Sequence, residues 1–127
     1  MEAVQACDIL TEVNDLSPNQ YDNGLKLKWL HDLDGKIFQE LVENHEDEET
    51  AERFAEADYS DPCVTLLIGK PYARDVYIAY LRSKIAEANA ETDRYNLYAA
   101  VFNSEYSQFA ALYNRTVPLK RFAGWRY

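Results

Sequence analysis

His31, Asp32 and Asp34 come closest, by residue type and spacing, to a chemical site in this chain, with His45 and Glu46 a weaker second pair. A metal held by one helix needs ligands three or four residues apart that converge on one side, and only His31 with Asp34 meets that spacing. Two ligands do not make a site. The plainer reading is a solvated helix face on which His31 is exposed and Asp32 pairs with Lys28 or Lys36, four residues to either side. Cys7 and Cys63 lie far apart, match no metal spacing and have no His near them in sequence, so they read as reduced thiols of a cytosolic protein. No serine sits in a strand-turn-helix elbow, and Gly69-Lys70 lacks the remainder of a phosphate-binding loop. The expectation is a protein with no catalytic residue, metal or cofactor. The one enzymatic option is metal-assisted hydrolysis through His31, Asp34 and neighbouring acids.

The segments that would position these residues read as helices. Val4, Cys7, Leu10 and Val13 recur every three residues and predict a first helix over about Glu2–Val13, broken by Ser17-Pro18-Asn19. Asp22 or Asn23 can cap a second, running to about Asn44, whose stripe is Leu27, Leu30, Leu33 or the adjacent Asp34 face, Ile37 and Leu41. Residues 43–61 are strongly acidic with only Arg53 as counter-charge, which predicts a solvated excursion that Phe54 and Tyr59 pin, through a short helix around Ala51–Ala57. Val64–Ile68 reads as a short extended piece, ended by Gly69 and Pro71. A third helix is expected over Tyr72–Ala88, closed by Asn89 in a tight left-handed turn. A fourth follows from Glu91 to about Arg115, with Tyr95, Tyr98, Phe102, Tyr106, Phe109 and Tyr113 on one face. So short a connection predicts an antiparallel pair of the third and fourth helices as the core. The class expected is all-α: a small bundle of about four helices with an acidic loop excursion and an extended C-terminal tail.

Charge excludes more than composition does. The 127 residues, 47% of them hydrophobic, suit one domain with a single core. A net charge of -9 has the wrong sign for gripping nucleic acid, because phosphate affinity comes from clustered Lys and Arg. There is no basic region followed by an apolar run at the start, and the longest apolar stretch is too short for a bilayer, so neither a signal peptide nor a membrane span is expected.

The charge is also divided. Residues 1–105 hold all 22 acids, while residues 106–127 hold Arg115, Lys120, Arg121 and Arg126 and no acid. After Val117-Pro118 helical periodicity is lost, and the division expected is a helical domain over 1–118 and an extension over 119–127. Phe122, Trp125 and Tyr127 on that extension, with its Arg and Lys residues, are the side-chain types that anchor interfaces. Arg115, Lys120, Arg121, Phe122, Trp125, Arg126 and Tyr127 are therefore the candidate partner-binding residues.

Several stretches resemble, in order and spacing, one family. They are Leu16–Tyr21, Lys28–Ile37, Leu66–Tyr72, Glu91–Asn96, Phe102-Asn103 and Tyr113–Arg115. Together they are similar to the head-tail connector proteins (also called adaptor or head-completion proteins) of tailed phages and prophages of Gram-positive bacteria. The resemblance implies a helical subunit that self-associates into a dodecameric ring beneath the portal protein and extends the DNA channel toward a tail-side connector or stopper protein. It implies a place at the head-tail joint of a virion, after assembly in the host cytoplasm, with DNA met only in passage and no membrane contact. The acidic stretch 43–61 departs from the family pattern. A competing reading from charge alone is a monomeric acidic interaction module, an inhibitor or DNA mimic that presents its acids to a basic protein.

Overall fold

A computed structural model of the chain describes residues 2–120. Five α-helices are formed among these residues: α1 (Ala6–Leu16), α2 (Asn23–Glu40), α3 (Glu48–Glu56), α4 (Ala73–Ala88) and α5 (Thr92–Thr116), with a 3-10 turn at Val42–Asn44 after α2. The protein is all-α, and the only extended pairings among the described residues are isolated bridges between Gln5 and Thr65 and between His45 and Leu119.

The helix starts follow local chemistry. Asp22 Oδ1 accepts the Leu25 amide at 2.8 Å and Asp47 Oδ1 accepts that of Thr50 at 3.2 Å, each satisfying one of the donors that a helix N-terminus leaves free. Glu48 and Glu49 in the first turn of α3 and Arg53 in its last complement the helix dipole. The short helix expected around Ala51–Ala57 thus begins three residues earlier, carries Glu48, Glu49, Glu52 and Glu56 of the acidic stretch, and stacks Phe54 on Phe38 of α2, ring centres 5.0 Å apart.

The first helix starts four residues later than its apolar spacing predicts. Residues 2–5 are instead extended beside the 64–70 segment, where Ala6 N–H donates to Val64 O, Leu66 N–H to Val4 O and Lys70 N–H to Glu2 O, each at 2.8 Å. Val4 reaches the core from this extended piece, and α1 buries Ala6, Ile9, Leu10 and Val13. The pairing also brings Cys7 and Cys63 to a Cα separation of 4.5 Å, where they form a disulfide. The reduced thiols expected from sequence are thus corrected: a separation of 56 residues concealed a proximity that the strand-like pairing creates.

The core is shared by Leu27, Leu30, Leu33, Ile37 and Leu41 of the second-helix stripe, the 64–68 segment, and Val76, Tyr77, Leu81 and Ile85 of α4. Contacts between α4 and α5 run in opposite order along the two helices: Tyr72 meets Phe109, Tyr80 meets Phe102 and Arg82 meets Tyr98. Their connection closes in a Schellman-type turn, with Glu91 N–H donating to Ala86 O at 2.9 Å and Ala90 N–H to Glu87 O at 3.1 Å. The left-handed residue there is Ala90, at φ 58°, whereas Asn89 sits at φ -86°. The expected assignment is off by one because the 6→1 bond places the sign change one residue beyond the helix cap.

Candidate functional site

Asp34 is where the sequence reading fails most informatively. It belongs to the boundary of the α2 stripe, and it is completely buried rather than part of a solvated face. Oδ1 accepts the Tyr77 hydroxyl at 2.5 Å, and Oδ2 accepts both the Tyr59 hydroxyl and the Leu67 amide, the latter at 3.2 Å. Tyr77 in turn accepts the Ile68 amide at 2.9 Å. The apolar segment 64–68 can lie in the core because the Asp34 carboxylate and the Tyr77 phenol satisfy the Leu67 and Ile68 amides while Val64 and Leu66 donate to main-chain carbonyls, removing the penalty for burying them unpaired. Burial pushes the Asp34 carboxyl up to about 6, against the hydrogen bonds from Tyr59, Tyr77 and Leu67 and the nearby His31, which pull it down. Both tyrosines are pushed upward by burial and by the Asp34 charge. Such a carboxyl resembles a tuned acid, but it has no exposed surface and three donors from its own chain already occupy it.

The other members of that first cluster separate. His31 is exposed, as expected, and stacks on the Tyr59 ring at 4.4 Å. Asp32 is also exposed, and the ion pairs found among the described residues involve Glu2, Glu12, Asp75, Glu87 and Glu91, so the expected pairing of Asp32 with Lys28 or Lys36 is not made. His45, read as half of a weaker site, is buried, with Nδ1 2.6 Å from Leu41 O and Nε2 3.0 Å from Asn114 Oδ1. Nδ1 is committed within the turn that follows α2, and Nε2 ties that turn to α5. Among the described residues no group of three or more His, Cys, Asp and Glu is placed to hold a metal ion.

What remains for function is surface. Of the candidate partner-binding residues, Arg115 lies exposed in the last turn of α5, and the Lys120 amide donates to Asn44 O at 2.9 Å. Leu119, the first residue assigned to the extension, pairs with His45 while leaving 64% of itself exposed. Leu119 and Lys120 therefore lie against the 3-10 turn. Arg121, Phe122, Trp125, Arg126 and Tyr127 lie outside the described residues.

A second surface was not singled out from sequence. The aromatic stripe of α5 is only partly core: Phe109 and Tyr113 are buried, whereas Tyr95, Tyr98, Phe102 and Tyr106 are half-buried. Two of its hydroxyls reach carboxylates, Tyr106 to Glu40 at 2.9 Å and Tyr113 to Asp47 at 3.0 Å. Burial raises both phenols above their ordinary value, and the paired carboxylates raise them further. Burial also pushes Asp47 upward, but its bonds from Thr50 and Tyr113 outweigh this and hold it below the usual carboxylate range. Beside the stripe, Leu97 and Val101 stand 59% and 42% exposed. With Leu16, Ile78 and Ala79 they line an open groove of 420 Å³ between α1, α4 and α5. Arg82 forms part of its floor, donating to Ser17 Oγ at 2.9 Å and to the Tyr98 hydroxyl at 2.8 Å. The sequence signal was present as Leu97 and Val101 four apart on α5, one step round the helix from the aromatic stripe.

Comparison with known proteins finds no matching family model, no matching curated protein and no matching solved structure. No helix among the described residues is long and apolar enough to cross a membrane.

Proposed function

We propose that this chain is a structural subunit of a phage or prophage head-tail joint, an adaptor that assembles as a ring under the portal protein and joins it to a tail-side connector or stopper. The observation that carries the reading is the division of charge, together with the ordered motifs that resemble the connector family. All 22 acids lie before residue 106, and of the four basic residues after it Arg115 stands in the last turn of α5 while Lys120, Arg121 and Arg126 follow that helix in sequence. Negative walls suit a channel that must pass DNA without holding it, because repulsion keeps phosphates off the surface. Basic and aromatic residues beyond Lys120 suit contact with an acidic neighbour. In a reducing host cytoplasm Cys7 and Cys63 would remain thiols, closing to the disulfide after release into oxidising surroundings.

Negative-stain microscopy of the purified chain mixed with a portal protein tests this directly. A ring on the portal, lost on deletion of residues 119–127, is the expected result, and free portal alone would overturn the reading. The exposed acids Glu48, Glu49, Glu52 and Glu56 on α3 favour a second reading, a one-to-one acidic interaction module. Salt-sensitive binding of one basic protein, with no ring, would support that one.

A further inference from the structure

The outer face of α5 has a charge pattern unlike the rest of the chain. Between Arg94 and Arg115 its only charged residue is Glu105, although 28% of the whole chain is charged. Arg94, Leu97, Val101 and Glu105 follow one another at steps of three, four and four, which places them on one side of the helix. Leu97 and Val101, both exposed, sit in the middle, with a cation at one end and an anion at the other. Arg94 is 67% exposed at its side chain and has one local partner, Glu91 at 3.1 Å, in the first turn.

Such a sequence is complementary to itself when reversed. If two copies of α5 lie antiparallel about a two-fold axis near Tyr98–Ala100, Arg94 of each stands opposite Glu105 of the other, and Leu97 and Val101 are covered between them. We propose that this face is a docking surface for a second copy of the same chain, forming a two-fold dimer through α5 and the groove that Leu16, Ile78 and Ala79 line beside it. The occupant follows from charge. Two chains of net charge -9 repel over most of their surface, so they meet where acid is sparse and each anion finds a cation. A basic partner, by contrast, is drawn to the acids of α3, on another part of the molecule. The two-fold arrangement uses the same patch on both copies, so each ion pair occurs twice and closes the assembly at two.

The proposal goes beyond the connector reading and does not depend on it. In that reading the dimer is the free form, which must part before a ring builds. The test uses the full chain alone, whereas the ring test requires portal protein, so either can fail without the other.

Sedimentation equilibrium of the wild-type chain is expected to show a monomer-dimer equilibrium by about 100 µM, in the range of small interfaces. Arg94→Glu and Glu105→Arg each place like charges together twice and should weaken the dimer by at least about 30-fold. Mixing the two variants restores opposite charges at both contacts, so an equimolar mixture should dimerise as the wild type does. A wild type that stays monomeric, or single variants that dimerise unchanged, overturns the proposal. Variants that fail alone and also fail when mixed overturn it too, because circular dichroism of each variant separates misfolding from a lost contact. Loss of the dimer on deleting residues 119–127, with both charge variants unaffected, would assign self-association to the C-terminal segment instead.

Discussion

The surroundings of Asp34 and the outer face of α5 divide the molecule into a part that is chemically closed and a part that is left open. Around Asp34, two phenols and a main-chain amide from three different segments converge on one carboxylate, and solvent is excluded. Along the first half of α5, half-buried rings border exposed Leu97 and Val101, and no side chain covers them among the described residues. Both regions contain polar groups next to apolar ones. The difference lies in direction: the first spends its hydrogen bonds inward and specifies a single packing, whereas the second leaves apolar area for something outside the chain.

Breaking the closed region should have the largest effect. Asp34→Ala leaves the Tyr59 and Tyr77 hydroxyls and the Leu67 amide without their acceptor, at about 1–3 kcal/mol for each buried group left unpaired. A loss of about 5 kcal/mol in urea unfolding is expected, close to the whole stability of many domains of this size. Cys63→Ser comes next. The bridge closes a loop spanning 56 residues that contains α2 and α3, which by chain entropy corresponds to about 4 kcal/mol. The main-chain pairing of residues 2–6 with 64–70 persists without it, so the variant should fold with a lower midpoint rather than lose its helices.

The third effect is a pH dependence that assigns the lock to one residue. Burial raises the Asp34 carboxyl from 3.8 to about 6 in the folded protein. The folded state therefore binds that proton more tightly than the unfolded chain, and protonation favours folding. Its contribution is fully present below the unfolded value of 3.8 and is lost as pH rises through about 6. At 1.36 kcal/mol per unit this amounts to about 3 kcal/mol between pH 3.8 and pH 7. Unfolding midpoints across that range should show the decline in the wild type and lose this component in Asp34→Asn. Equal slopes in the two proteins would mean that the carboxyl titrates as it does in water.

The sequence disclosed these regions unequally. The α2 stripe, the Asp22 cap and the extents of α4 and α5 were legible because they depend on spacing and on contacts within a few residues. Asp34 was legible only as a face alternative to Leu33, since the two are adjacent and nothing local indicates that Tyr59 and Tyr77 will arrive to satisfy a carboxylate. Residues 2–5 and the Cys7–Cys63 bridge were misread for a related reason: their partners lie about sixty residues away. The ring pattern of α5 was legible, but not how deeply each ring is buried, because helical spacing identifies a face without saying what covers it. The candidate contact residues were read from charge and composition, and most of them lie beyond Lys120, outside the described residues.

The smallest expected effect sharpens the comparison most. Leu97→Glu replaces a side chain that is 59% exposed on a helix otherwise held by Phe109, Tyr113 and the α4 contacts. Glu is about as good a helix former as Leu, and a surface substitution of this kind usually changes stability by no more than about 0.5 kcal/mol. Thermal unfolding of a dilute solution, where the chain is monomeric, should therefore scarcely distinguish the variant from the wild type. The same substitution puts an uncompensated charge in the centre of the proposed α5 contact and should abolish dimerisation. A large drop in monomer stability would mean that Leu97 belongs to the core, and the distinction between a closed and an open region would fail at that residue. Unchanged stability with lost association would show that α5 carries an apolar face that folding does not need.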